Sequence, residues 1–387
     1  MEPEARAYIL GKASGVAEAV AANVQRDLTY VRPTKAGGHY LVVGAGPSLN
    51  QTGHLLPKYR EAGYTIITVN TALPAVSKYL APDYVVAREL VDVSTHLDHP
   101  SGHRLLDIGV NPTIVEKSLS LPGRTSFFIP CQTHYTEMAA ALGVRPIYGG
   151  TTAITAAVAI AQQWGADSIT LLGVDLGRSS DGQGYALGSA FSDYRISEDG
   201  KLSGNGLEVK KTQHQLGNTP PPPKAVALTE VPGWGGGTAQ LINLYVDQLE
   251  WLQEFPSRDP RMTLIDSTGA GVSKGPGWQE ILPGELLGPS VWPTGLTCFS
   301  KGNTQAATTR LRKECDIAES ICLNVTHQDG FFVGNPELMH GIDLVDLRAA
   351  AGLLLALDSG LSVEEKVRVA YEDVIPEAVA TFRKLLS

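Results

Sequence analysis

Two glycine turns and a scattering of acids, amides and hydroxyls are the residues of this chain whose types and spacing could do chemistry. The first turn lies in Tyr40-Leu41-Val42-Val43-Gly44-Ala45-Gly46-Pro47-Ser48-Leu49-Asn50. Gly44 and Gly46 would let the backbone approach a ligand closely, and Pro47 suits the first position of a helix starting there. A helix amino end presents free N–H groups and positive partial charge to an anion. Two readings are open: a plain strand–turn–helix unit, or one holding a phosphate-bearing ligand. The second turn is Tyr148-Gly149-Gly150-Thr151-Thr152-Ala153-Ile154, with Thr151 expected as the N-cap of a helix reaching about Trp164.

Acids follow two apolar strands. Arg88, Glu89 and Asp92 come just past Pro82 to Ala87, where open α/β sheets bind ligands. Asp175 ends the strand beginning at Ser168, where a carboxylate can hold a ribose, a metal or an acceptor hydroxyl, or simply cap the next turn. A dinucleotide fingerprint would need a third glycine and an acid closing the second strand. Leu49 replaces that glycine and Asn70 stands in place of the acid, so NAD and FAD are disfavoured. The segment from His96 to His103 has three histidines, but Pro100 and Gly102 break any helix that would align them; an exposed loop is expected there, and no metal site.

The elements positioning these residues alternate. Apolar side chains between Pro3 and Leu28 fit an amphipathic helix. Strands at 40–43, 64–69, 82–87, 126–129, 168–174 and 262–266, separated by helical runs, indicate βαβ units and a parallel sheet. Residues 178–237 have little periodicity and a proline run at Pro220–Pro223; they read as a mobile lid. The glycine group 233–237 is expected to feed a helix from Thr238 to Glu254. A composition shift after Pro283 divides the chain into an N-terminal helix (1–38), a ligand-binding domain (39–283) and a mainly helical appendage (284–387), which could assemble copies of the chain.

Composition narrows the partners. A net charge of −9 argues against non-specific binding to nucleic acid or anionic membrane. The start of the chain lacks the pattern of a signal peptide, and the apolar run Ala153–Ala161 is too short to span a bilayer. The scattered cysteines 131, 298, 315 and 322 fit reduced thiols in a cytoplasmic protein.

Taken in order, Gly44-Ala45-Gly46-Pro47-Ser48-Leu49, the strand ending in Asn70, Ala81-Pro82-Asp83, Gly149-Gly150-Thr151-Thr152 and Leu172-Gly173-Val174-Asp175-Leu176 resemble the MptE-like family. That family takes in archaeal 6-hydroxymethylpterin diphosphokinase and bacterial motility accessory factors, which look like glycosyltransferases placing nonulosonic acids on flagellin. Blocks at 236–252 and 264–271 are similar to the bacterial branch, for a coverage of roughly residues 39–280. The resemblance implies an α/β fold with a Rossmann-like, mostly parallel sheet flanked by helices, and a helical C-terminal appendage.

A group of bacterial sialyltransferases shares the layout. By that resemblance Gly46, Pro47, Ser48 and Asn70 would hold CMP, with Thr151 and Thr152 near the phosphate. Gly44 and Gly150, from their places in the two turns, and Glu89, from its place past a strand's carboxyl end, join the expected nucleotide-binding residues. Tyr185, in Gly184-Tyr185-Ala186, would steady the departing phosphate with Arg178. Asp175 or His214 would accept the acceptor's proton. The catalytic histidine those enzymes carry before their late helix is absent from 233–237, and His214 is its nearest substitute. The expected substrate is a nucleotide-activated, CMP-linked sugar. The alternative is ATP with Mg²⁺ for a diphosphokinase, although Arg88-Glu89-Leu90-Val91-Asp92 departs from that branch's acidic cluster. A third reading is a catalytically silent nucleotide-binding or assembly protein.

Overall fold

The computed structural model describes residues 19–89, 92–131, 133–204, 225–285, 298–310 and 312. The chain is α/β. Its centre is a ten-stranded sheet in the order β13-β12-β7-β2-β3-β4-β5-β6-β1-β14. The strands are β1 (Thr29–Val31), β2 (His39–Val43), β3 (Thr65–Val69), β4 (Tyr84–Ala87), β5 (His103–Asp107), β6 (Arg124–Phe128) and β7 (Ser168–Leu172). Beyond them come β12 (Thr263–Asp266), β13 (Gln279–Glu280) and β14 (Phe299–Lys301). Every pairing is parallel except β1 with β14.

Parallel strands are covered on both faces, which is why β2 and β3 read as near-continuous apolar runs. Four of the five residues in each are buried. Between strands lie α1 (Leu49–Thr52), α2 (Leu56–Glu61), α3 (Leu73–Val76), α4 (Pro112–Ser120), α5 (Thr133–Leu142), α6 (Ala153–Gln163) and α7 (Val246–Glu254). Every residue of α6 from Ile154 to Ala161 is buried. Its alanines let it lie close across β2, β3 and β4.

Several expectations change. Residues 19–24 are helical, but the preceding part of the expected amphipathic helix lies outside the described residues. The segment 96–103 is an exposed loop only in its middle, at Asp98, Pro100 and Gly102: His96 and His103 are buried at its ends, and His103 opens β5 with its Nε2 2.8 Å from Ser126 Oγ. Among the described residues no group of three or more His, Cys, Asp and Glu side chains is placed to hold a metal ion.

Residues 238–242 are not helical. They form β11 (Thr238–Ile242), paired antiparallel with β10 (Leu228–Pro232) around the glycine turn, where Gly235, Gly236 and Gly237 all have positive φ. The helix begins only at Val246. Within the expected lid, β8 (Arg195–Ile196) pairs with β9 (Leu202–Ser203). Tyr194, Ile196, Leu202, Val226 and Ile242 bury a small apolar cluster there. The lid's described parts are thus a packed cover, while Pro220–Pro223 and His214 lie outside the described residues. So does the chain beyond Arg312, with Cys315, Cys322 and most of the expected helical appendage. Cys131 and Cys298 are free thiols. No helix among the described residues is long and apolar enough to cross a membrane.

Candidate functional site

The chain places β3 to β6 on one side of β2 and returns to lay β7 on the other. At such a switch point the connections leave neighbouring strands in opposite directions and open a crevice at their carboxyl ends. A cavity of about 200 Å³ occupies it. Gly44 to Gly46, Asn70, Thr152, Asp175, Tyr185 and Tyr245 are among its lining. The two glycine-bearing turns therefore face one pocket.

The first turn does not work as an anion cradle. Gly44 N–H donates to Leu172 O at 2.8 Å and Gly46 N–H to Gly173 O at 2.7 Å. Ser48 N–H donates to Asp175 Oδ1 at 3.0 Å and Ser48 Oγ–H to Asp175 Oδ2 at 2.8 Å. The chain's own carboxylate sits where a phosphate was expected. Pro47 falls in a turn before α1 rather than at its first position, and α1 lasts only four residues. The glycines answer to packing: a Cβ on Gly46 would overlap the Asp175 carboxylate, and one on Gly44 would come within 2.5 Å of Gly173 O.

The second turn remains open to a ligand. Thr152, not Thr151, is the N-cap of α6: its Oγ1 accepts from Thr155 N–H while Thr155 Oγ1 accepts from Thr152 N–H. Thr151 is exposed and outside the pocket's lining. Ala153 and Ile154 line the pocket. As the first two residues of an eleven-residue helix, their N–H groups have no intrahelical acceptor. Gly150 has φ +56° and its carbonyl accepts from Arg88 Nη1 at 2.5 Å. Arg88 Nε also pairs with Asp107 Oδ2 at 2.8 Å, so this arginine fixes the turn and does not reach the pocket.

Asn70 is buried and its Nδ2 lies 3.5 Å from Glu89 Oε1 and 3.4 Å from His96 Nδ1, while its Oδ1 has no partner among the described residues. Burial holds the His96 pKa down at about 4, so the ring is neutral. Burial pushes the Asp175 carboxyl up to about 6, against the two bonds from Ser48 and the nearby Lys274. Each Asp175 oxygen accepts one of those bonds and keeps further acceptor capacity, and the residue is part of the pocket's lining.

The cover brings Tyr185 to the site, and the turn between β11 and α7 brings Tyr245. Tyr185 Oη lies 2.8 Å from Tyr245 Oη. Burial, then the neighbouring Tyr245, raises the Tyr185 pKa far above its ordinary value; burial also raises that of Tyr245. Both stay protonated. One hydroxyl donates to the other, which leaves a second O–H for a ligand. The cover is tied down beside them: Ala186 N–H donates to Ala45 O at 2.8 Å, Leu187 N–H to Asn50 Oδ1 at 2.6 Å and Ala190 N–H to Thr71 O at 3.0 Å. Arg178 is turned away, with Nε on Gln240 Oε1 at 2.5 Å and Nη1 on Ile196 O, so it does not join Tyr185. Leu176, in the pocket wall, has φ 57° and is the one non-glycine residue with positive φ among the described residues. Such strain is concentrated at functional sites.

Of the residues singled out from sequence, Gly44, Gly46, Asn70, Glu89, Thr152, Asp175 and Tyr185 meet at the pocket. Pro47, Ser48, Gly150, Thr151 and Arg178 do not line it, and His214 lies outside the described residues. Tyr245, Gln248 and Leu176 were missed. No arginine or lysine is among its described lining residues.

These features define an α/β protein of the Rossmann-like kind with a covered pocket at its switch point. Residues 16–181 match the model of the family described as 6-hydroxymethylpterin diphosphokinase MptE-like, so the resemblance carried by the sequence blocks holds over that span. No curated protein sequence matches the chain. Among solved structures, a MAf glycosyltransferase from Magnetospirillum magneticum AMB-1 is similar with a TM-score of 0.59 at 13% identity. That likeness covers 97% of this chain and 58% of the other, and at this identity it speaks for the fold.

Proposed function

We propose that the chain is a nucleotide-dependent transferase of the glycosyltransferase-like kind, whose donor is a CMP-activated sugar of the nonulosonic acid type. The observation that carries this reading is the meeting, at one switch-point pocket, of the α6 amino end, the Asn70 amide and the Tyr185–Tyr245 hydroxyl pair. In this reading the Ala153 and Ile154 N–H groups receive the donor phosphate, and Asn70 Oδ1 bonds an exocyclic amino group or a ribose hydroxyl. The spare phenolic proton meets the charge that develops on the departing CMP phosphate, where an oriented donor counts most. Asp175, titrating near 6, has the proton affinity of a general base working close to neutrality. The sugar leaves phosphate for the acceptor oxygen, and the proton from that oxygen passes to the carboxylate.

The pocket's free volume of about 200 Å³ is below the roughly 300–1,000 Å³ usual for small-molecule sites. Opening of the cover carrying Tyr185 would admit the donor. The MptE-like match and the glycosyltransferase likeness support a transferase. One observation favours a second reading: with Glu89 and Asp175 in the lining and no arginine or lysine among the described lining residues, an ATP-bound Mg²⁺ would find oxygen ligands there. That is the chemistry of a diphosphokinase.

Titration calorimetry separates the two. CMP should bind without metal, and Asn70→Ala should weaken it about tenfold, the worth of one lost hydrogen bond to a ligand. Binding of ATP only with Mg²⁺, and none of CMP, would replace the first reading by the second. Binding of neither would leave a protein without this activity.

A further inference from the structure

A second and larger cavity, of about 750 Å³, opens at the opposite edge of the sheet. Its wall is made where β4, β5 and β6 begin, from Tyr84, His103 and Arg124, together with Arg60, Arg104 and Ser101. The candidate transferase pocket lies at the carboxyl ends of neighbouring strands, so the two cannot share a ligand.

The charge in this wall is unbalanced. Arg104 is 1% exposed, yet among the described residues it has no ion pair, and its one hydrogen bond runs from Nη1 to Pro122 O at 2.8 Å. Its Nε has no partner, and burial pushes its pKa down. A buried guanidinium without a counter-charge is strongly penalised by lost hydration unless something neutralises it. Arg124, paired with His103 across the β5–β6 ladder, is exposed at the rim and makes no ion pair with a described residue.

The remaining groups do not cancel these two charges. Asp83 is taken by Arg60 at 3.2 Å and by Ile66 N–H at 2.8 Å, and Asp98 is paired with Lys117. His103 is held neutral: burial first, then Arg124 and Arg104, lower its pKa to about 4. Ser101 Oγ adds a buried hydroxyl without a partner in the same wall. Two uncompensated guanidiniums call for a dianion, which a phosphate group supplies and a single carboxylate does not.

We propose that this cavity binds a phosphate-bearing small molecule, with Arg124 gripping the phosphate and Arg104 supplying the buried charge beneath it. The volume falls within the roughly 300–1,000 Å³ of ordinary ligand sites, so the phosphate would come with an organic body attached.

The test is calorimetry on the full chain with inorganic phosphate, pyrophosphate and acetate, at constant ionic strength. Saturable binding is expected for phosphate, tighter for pyrophosphate and undetectable for acetate. Arg124→Ala should weaken phosphate at least tenfold and Arg104→Met should abolish it, while Asn70→Ala leaves it unchanged. Arg104→Met should melt no lower than the wild type without phosphate, because it removes an unpaired buried charge. If that variant does not fold, Arg124→Glu decides, since the residue is exposed: it should lose binding entirely. The proposal is overturned by absence of saturable phosphate binding to the wild type, by equal binding of acetate, or by an affinity that survives the Arg124 substitutions.

Discussion

Replacing Asp175 by Asn tests the electrostatics of the candidate site through folding alone. The carboxyl is buried against Ser48 and its pKa rises from 3.8 to about 6. The native chain therefore holds this proton more tightly than the unfolded chain. The associated stability is complete below pH 3.8 and is lost as pH rises through 6. A shift of that size corresponds to roughly 3 kcal/mol, of which about 2 kcal/mol is lost between pH 4.5 and 8. Asparagine keeps the acceptor for Ser48 N–H and cannot ionise. Urea denaturation of both proteins across that pH interval should show Asp175→Asn gaining about 2 kcal/mol on the wild type as pH rises. Taking the difference cancels every other titrating group. A constant difference, or a variant that falls behind with rising pH, would refute the view that the charged form is the penalised one.

Gly46→Ala should cost about 1–3 kcal/mol, because its Cβ would overlap the Asp175 carboxylate; combining it with Asp175→Ala should recover part of the loss in the same denaturation assay. Arg88→Met should cost about 3 kcal/mol by leaving the buried Asp107 without its cation, toward the low end for such pairs because Asp107 Oδ1 keeps the Gly109 N–H. With a CMP-sugar donor, Tyr185→Phe should lower kcat about a hundredfold with little change in KM, and adding Tyr245→Phe should cost far less than a second hundredfold, since the two hydroxyls act as one donor.

The parts of this fold that can be read from sequence are those where one local rule decides. Continuous apolar runs, closed by glycine after β2 and β7 and by Asn70 after β3, disclose those strands, and the alanine-rich stretch after a threonine discloses α6. Where the deciding contact is remote, local rules mislead. His103 looks like a loop residue until Ser126 answers it across the sheet. Thr238 to Ile242 suits a helix as well as a strand, and its pairing with Leu228 to Pro232 settles the matter. Tyr245 owes its place in the site to that hairpin, so no motif around it could have announced it.

The glycines of the first turn make the deeper case. A position that must lack a Cβ looks the same in sequence whether a ligand or another stretch of the chain comes close. At Gly46 the neighbour is Asp175, held there by Ser48, and the donors once assigned to a phosphate are satisfied within the protein. In the proposed function, anion binding at this pocket falls to the amino end of α6 and the phenol pair, both outside the glycine pattern. The first turn keeps a part in the site by fixing where Asp175 sits and how readily it takes a proton. Its glycines and the acid 127 positions from Ser48 are one device, and the strained Leu176 that follows the acid belongs to the same pocket wall.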